Sequence, residues 1–177
     1  MSIRIFKLAI FTFLYSSPLF AAFEPLLSVQ YAGEIGKYSA GITSRPFEFF
    51  MLGIHYGVVP KTETLKKIET WALKSYFPLV KLDVLEGIEP YIGLVAYHVV
   101  GRKYETDNHP ATPKGYYRQS SYRGLLNVGT LVKITERVKF YGEGGVNDIA
   151  IIDSYNNKNV SIYDEVSLAI GAHIKLD

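Results

Sequence analysis

Apolar and polar residues alternate along short segments that together cover most of residues 23–177. The last segment is the clearest, because every second residue from Ile162 to Leu176 is apolar except Asp164, while His173 and Lys175 fall between them. A period of two places successive side chains on opposite faces of a β-strand. The pattern therefore predicts strands that have one face suited to lipid and the other suited to water or a polar interior.

Eight such segments can be distinguished. Their recurring glycines weaken any helical alternative, so we predict an all-β chain with no helix of useful length. In the fourth segment Trp71 and Leu73 belong to the apolar face, which turns Lys74 and Tyr76 to the other side, whereas in the fifth neither face is distinguished. The predicted strands are Leu26–Ile35, Lys37–Thr43, Phe47–Val58, Ile68–Lys81, Pro90–Val100, Tyr122–Thr135, Arg137–Ile149 and Ile162–Leu176.

The connections between these strands are short and long by turns, apart from the tight first hairpin near Gly36. The short ones are Ser44–Pro46, Asp83–Gly87 and a turn at Glu136; the long ones are Val59–Lys67, Arg102–Ser121 and Asp153–Ser161. Short turns at one end and long loops at the other are typical of bacterial outer-membrane barrels. We therefore predict an antiparallel, up-and-down, eight-stranded transmembrane β-barrel with both termini at the short-turn end.

Residues 1–22 predict a secretory signal peptide. Arg4 and Lys7 provide a charged start, Leu8–Tyr15 is an apolar run too short to span a bilayer, and small residues allow cleavage after Ala21 or Ala22. The predicted mature chain, residues 23–177, has a length that suits a single domain.

Charge and cysteine content narrow the function. Without Arg4 and Lys7, seventeen basic residues balance seventeen acidic ones, so the formal net charge of +2 belongs to the predicted signal peptide. A neutral mature chain argues against nucleic acid as a partner. The chain has no cysteine, which excludes disulfides and thiolate metal sites.

In this architecture the chain resembles the small eight-stranded outer-membrane barrels, the group that includes the transmembrane domain of outer-membrane protein A, outer-membrane protein X and the lipid A-modifying barrels. The resemblance implies a monomer in the bacterial outer membrane, in contact with its lipid. It departs from the group at the C-terminus, where Leu176 and Asp177 replace the usual aromatic. Aromatics that we assign to the two membrane girdles are Tyr104, Tyr116, Tyr117 and Tyr122 at the outer edge, and Phe47, Tyr91 and Phe140 at the inner edge.

A barrel of this size is just wide enough for its inward side chains to fill it, so we predict a closed interior and no diffusion pore. Mixed charges can pair there at a tolerable cost. The predicted interior polar network consists of Arg123, Asn147, Glu165, Glu143, Lys139, His173 and Lys175, and Lys74, Lys133, Glu34, His55 and Asn127 also fall on inward faces. Counting from the turns places Asn147 opposite both Arg123 and Glu165, which predicts an Arg123–Glu165 ion pair bridged by Asn147.

The sequence favours a structural or surface-interaction protein, whose partner would be met by the long loop 102–121. A lipid A-modifying enzyme is one alternative, but Ser167 and His173 would lie about 20 Å apart on one strand, and His98 has only the loop serines Ser120 and Ser121 to pair with. A soluble periplasmic lipid-binding barrel, with its apolar face inward, is another. We predict no catalytic or cofactor-binding residues and no metal site, since Asp107 and His109 alone are too few ligands.

Overall fold

A computed structural model describes residues 24–63, 67–79, 87–100, 122–156 and 166–176. In these ranges eight strands each pair antiparallel with their sequence neighbours, and the first strand pairs with the last to close a barrel. The predicted antiparallel up-and-down β-barrel is thereby confirmed. The strands are β1 (Pro25–Ala32), β2 (Tyr38–Phe47), β3 (Phe50–Val59), β4 (Ile68–Pro78), β5 (Ile88–Val100), β6 (Tyr122–Lys133), β7 (Val138–Asn147) and β8 (Ser167–Lys175).

One strand end differs clearly from the prediction. The chain does not turn at Ser44–Pro46; β2 continues to Phe47 and the turn is formed by Glu48 and Phe49. The register between β2 and β3 shifts between Ser44 and Phe47. Such a bulge interrupts the hydrogen-bond ladder, so Pro46, which has no N–H group, is accommodated within a strand.

A helix, α1 (Asp148–Asn156), follows β7 directly. The prediction that no helix forms, and that β7 reaches Ile149, is wrong here. The Asn147 side-chain oxygen accepts a hydrogen bond from the amide of Ala150 at 2.8 Å, the geometry of a helix N-cap, and Asp148 places negative charge at the positive end of the helix dipole. In the described residues no helix is long and apolar enough to cross a bilayer.

The alternation of the strands separates a polar inner face from an apolar outer face. In β4 the side chains of Lys74 and Tyr76 are buried inside, whereas Trp71 and Leu73 are exposed outside, and the predicted faces of β3, β6 and β8 are likewise confirmed. The fifth strand, whose faces the sequence left open, points Tyr91, Val95, Tyr97 and Val99 inward. Because the apolar face points outward, the soluble lipid-binding alternative, which needs the opposite arrangement, is wrong.

Large apolar side chains are exposed on the outer face of every strand. Aromatic pairs mark both ends of this surface: Tyr56 contacts Trp71 near the long-loop end, and Phe50 contacts Phe77 near the short-turn end. Tyr91 does not belong to a girdle, because its side chain is buried in the lumen. Exposed residues of the outer face include Val29, Ile42, Ile54, Leu73, Leu94, Val128, Phe140, Leu168 and Ile170.

The first hairpin folds over the long-loop end of the lumen. Its backbone turns through Ala32, Gly33 and Gly36, all at positive φ, and buries Ile35 to 2% exposure. Ile35 packs in an apolar cluster with inward residues of β4, β5 and β6, and a second apolar cluster fills the lumen nearer the short-turn end. Polar side chains occupy the level between the two clusters. The clusters are Ile35, Ala72, Val95, Tyr97, Val99 and Leu125, and Met51, Tyr76, Tyr91, Leu131 and Tyr141.

We expect Gly57→Ala to destabilise the barrel, because a Cβ at Gly57 would collide with the carbonyl oxygen of Ile35 under the hairpin. Overpacking of this kind costs about 1–3 kcal/mol. The matched control is Gly142→Ala, since a Cβ there has no neighbour within 4 Å. Urea unfolding of both variants in detergent micelles checks the prediction. Equal free energies of unfolding would show that the hairpin does not press on β3.

Candidate functional site

The polar level of the lumen is centred on an ion pair between Lys74 of β4 and Glu143 of β7, which face each other across the barrel. Lys74 Nζ lies 2.6 Å from Glu143 Oε1, and the two side chains are only 1% and 5% exposed. The other carboxylate oxygen accepts hydrogen bonds from Tyr91 OH and Asn127 Nδ2, both at 2.8 Å. A buried ion pair is tolerated only when its remaining polar atoms are satisfied, as they are here.

Gln30 of β1 connects Lys74 of this ion pair to Tyr141 of β7. Its Oε1 accepts hydrogen bonds from Lys74 Nζ at 2.8 Å and from Tyr141 OH at 3.1 Å. The Lys74 ammonium also lies 5.2 Å from the ring centre of Tyr76 and 5.5 Å from that of Tyr141, within range of cation–π attraction. The cation is therefore surrounded by one carboxylate, one amide oxygen and two aromatic faces.

A second polar group lies on the wall formed by β8, β1, β2 and β3. The hydroxyls of Ser28 and Thr43 are hydrogen-bonded at 2.7 Å, and each also contacts a histidine: Ser28 Oγ lies 2.6 Å from His173 Nδ1, and Thr43 Oγ1 lies 3.3 Å from His55 Nε2. All four side chains are buried. They form one continuous hydrogen-bonded chain, His173–Ser28–Thr43–His55.

Both ends of the lumen carry their own charged groups. At the long-loop end Glu34 Oε1 accepts hydrogen bonds from Tyr97 OH and Asn147 Nδ2, each at 2.9 Å. At the short-turn end Glu89 is shared by Arg45 at 2.8 Å and Lys139 at 3.5 Å. Polar groups therefore follow the lumen from one end to the other.

The predicted Arg123–Asn147 register is wrong by two residues. Leu125, not Arg123, pairs with Asn147. The β6–β7 turn explains the shift, because Ile134 N and Thr135 N both bond to Val138 O, so the turn extends over residues 134–137. Arg123 is buried on the inner face, with its guanidinium 3.9 Å from Asp148 at the start of α1.

The β7–β8 register agrees with the count from the sequence, since Gly145 pairs with Ser167, but Glu165 lies outside the described residues. Lys175 and Lys133 are not interior residues. Their side chains are exposed at the short-turn end, where they pair with Glu24 and Glu136. Both stand at the last position of a strand, where the inward face has already reached the mouth of the barrel.

Gln30, Glu89 and Arg45 were missed by the sequence reading. The inward position of Gln30 could have been predicted, because Ser28 and Gln30 alternate with Val29 and Tyr31 along β1. Glu89 lies at the start of β5, whose faces the sequence left open. Arg45 lies in the stretch predicted to be a turn.

The geometry offers little room for chemistry on a substrate. Ser28 and Thr43 each contact a histidine through their hydroxyl, yet all four side chains are buried, and the lumen next to Gln30, Lys74 and Glu143 leaves a cavity of only about 10 Å³. That is about the space of a single water probe. No group of three His, Asp or Glu side chains in the described ranges could hold a metal ion.

Comparisons with known proteins add little to this description. No protein-family model matches the sequence, and no curated protein matches it. A structure from the de novo design of transmembrane β-barrels is 11% identical, with a TM-score of 0.47 over 86% of this chain and 92% of that one. The crystal structure of CarO2 from Acinetobacter baumannii is 10% identical, with a TM-score of 0.41 over 87% of this chain and 99% of that one. The strand pairing, not these weak similarities, establishes the barrel.

We expect Lys74→Met and Glu143→Gln each to lower the free energy of unfolding by about 3–5 kcal/mol, because each leaves the other charge buried and unpaired. The double variant should recover part of that loss. Chemical unfolding in detergent micelles measures all three.

Lys67→Met is the control, since the Lys67–Glu69 pair is exposed at the barrel end and its loss should change stability little. Strictly additive losses in the Lys74 and Glu143 cycle would mean that the two side chains do not interact.

Proposed function

We propose that this protein is an integral barrel of the bacterial outer membrane, with a closed, charge-filled lumen, and that it acts as a structural or surface-interaction protein. The observation that carries the proposal is the inverted distribution of its side chains: Lys74, Glu143 and His173 are buried in the lumen, while Leu168 and Ile170 are 70% and 63% exposed. Exposed apolar side chains are unfavourable in water, whereas they are favourable in contact with the lipid of a bilayer around the barrel.

The extent of the apolar surface supports the proposal. Exposed apolar patches on soluble monomers rarely exceed a few hundred Å², whereas large apolar residues are exposed here on all eight described strands. Among the outward positions of these strands only Glu69 carries a charge. Glu69 stands near the long-loop end of β4 and bonds to Tyr56 OH and to Lys67, where headgroups and water would reach it.

Closure of the sheet also supports a membrane setting. In hydrocarbon every backbone N–H and C=O needs a partner within the protein, and a closed barrel leaves no strand edge unpaired. The seam between β1 and β8 is paired over seven residue pairs, from Leu26 and Lys175 to Ala32 and Ala169. An open sheet with the same outer face would not satisfy this constraint.

The proposed orientation places the short turns and both ends of the described chain in the periplasm. Glu24 bonds to Lys175, and Leu176 N bonds to Pro25 O, so the two ends meet beside the short turns. Loop 102–121 then lies at the cell surface, where we propose that it meets a partner. The predicted signal peptide supports export, and a monomer suffices, since the lumen is filled by one chain.

Ile170→Arg should cost about 2–4 kcal/mol of folding free energy in a bilayer, because Ile170 faces outward on β8 at mid-barrel. Ile134→Arg is the matched control. Ile134 lies in a short turn, where the same substitution should cost at most about 1 kcal/mol. Urea titration of folding into phosphatidylcholine vesicles gives both values, and equal penalties would contradict a bilayer around the barrel.

Protease added to intact cells should cut within residues 102–121, because loops of this length are exposed and accessible. Fractionation of the same cells should place the intact protein in the outer membrane, as a band whose mobility changes on heating. Protection of residues 102–121 together with cleavage between residues 79 and 87 would show that the orientation is the opposite of the proposed one. A protein found only in the soluble periplasmic fraction would overturn the proposal.

A further inference from the structure

The short-turn end of the lumen opens into a cleft of about 210 Å³, here named the vestibule. Four cations line it, Arg45, Arg137, Lys139 and Lys175, and His173 is also part of its lining. The cleft is large enough for a small anion together with several waters.

The carboxylates of the vestibule are already engaged by cations. Glu24 is paired with Lys175 at 2.9 Å, and Glu136 with Lys133 at 2.5 Å. Glu89, deeper in the barrel, is shared by Arg45 and Lys139. One carboxylate between two cations leaves positive charge in excess. Lys139 lies farther from Glu89, at 3.5 Å, than Arg45 does, at 2.8 Å.

His173 lines the vestibule and is itself buried. The residue is 1% exposed, its Nδ1 is hydrogen-bonded to Ser28, and its Nε2 has no hydrogen-bond partner among the described residues. A buried polar atom without a partner costs about 1–3 kcal/mol, so a group in the vestibule that bonds to this nitrogen would be stabilising. His55 Nδ1, at the other end of the hydrogen-bonded chain, is also without a described partner.

Proton counting links these two nitrogens. A neutral histidine has one N–H donor and one acceptor, and each hydroxyl has one proton. If both hydroxyl protons are used within the chain His173–Ser28–Thr43–His55, its three bonds can form in only two ways, with every proton directed toward His55 or every proton directed toward His173. In the second arrangement His173 Nε2 carries an N–H that is free to donate, while His55 Nδ1 is an acceptor.

We propose that the vestibule binds a small oxyanion of the phosphate or carboxylate class, held by the Lys139 ammonium and by the Nε2–H group of His173. A bound anion selects the second proton arrangement, because only that arrangement presents a donor. His55, at the other end of the hydrogen-bonded chain, therefore changes its hydrogen-bonding state when the vestibule is filled. The inference goes beyond the proposed function and does not depend on the membrane orientation.

The test is a titration of the ¹⁵N-histidine-labelled protein in non-ionic detergent micelles with inorganic phosphate, at constant ionic strength set by sodium chloride. The chain has four histidines, and His98, which packs against Tyr122 with ring centres 4.5 Å apart, is an internal control. Phosphate should change the ¹⁵N chemical shifts of the ring nitrogens of His173 and His55, and both changes should fit one dissociation constant. The shifts of His98 should stay the same. A second arm adds phosphatidylglycerol to the micelles. A response to phosphate identifies a soluble anion, and a response to the lipid alone identifies a headgroup.

Lys139→Gln should raise the dissociation constant about tenfold, the equivalent of one charge-assisted hydrogen bond. The matched control is Lys67→Gln, a lysine that also pairs with a glutamate but stands at the opposite end of the barrel. Lys139→Gln keeps the Arg45–Glu89 pair, so the barrel should still fold. The proposal is overturned if neither phosphate nor phosphatidylglycerol shifts His173, if His55 does not follow His173, or if the two lysine variants bind equally well.

Discussion

Closure of the sheet at the β1–β8 seam is the constraint on which the rest of the molecule depends. Without that seam two strand edges would present unpaired N–H and C=O groups. Hydrocarbon offers these groups no hydrogen-bond partner, and in water they promote pairing with other chains. Closure also sets the width of the lumen, so the inward side chains must fill a fixed space. The outer face contacts the surrounding medium, and most of its residues are apolar.

Filling that fixed space requires small residues opposite large ones. A Cβ at Gly129 would collide with the Tyr91 ring and a Cβ at Gly171 with the Tyr141 ring, so these glycines make room for the two tyrosines that bond to Glu143 and Gln30. The polar level thus depends on backbone positions that have no side chain. Its charges are stable inside because the packing brings donors and acceptors into contact.

Strict alternation made the strands and most of their faces predictable, as the run from Val166 to Ile174 illustrates. Contacts across the lumen were not predictable, because pairing between neighbouring strands says nothing about which residues of β4 and β7 meet after the sheet has curled. Local hydrogen bonding explains the other errors. Asn147 caps a helix where a strand was expected, and the extent of the β6–β7 turn moves Arg123 by two positions.

The two ends of the lumen are chemically different. Ile35 and its neighbours form an apolar cluster at the end where the first hairpin folds inward, while the other end opens into a charged cleft. The Lys74–Glu143 pair lies between this cluster and the second apolar cluster, so it is shielded from the cleft as well. Dissolved salt therefore screens the exposed pairs Lys175–Glu24 and Lys133–Glu136 at the mouth of the cleft much more than the buried Lys74–Glu143 pair, whose strength is set by the protein rather than by the ionic strength outside it.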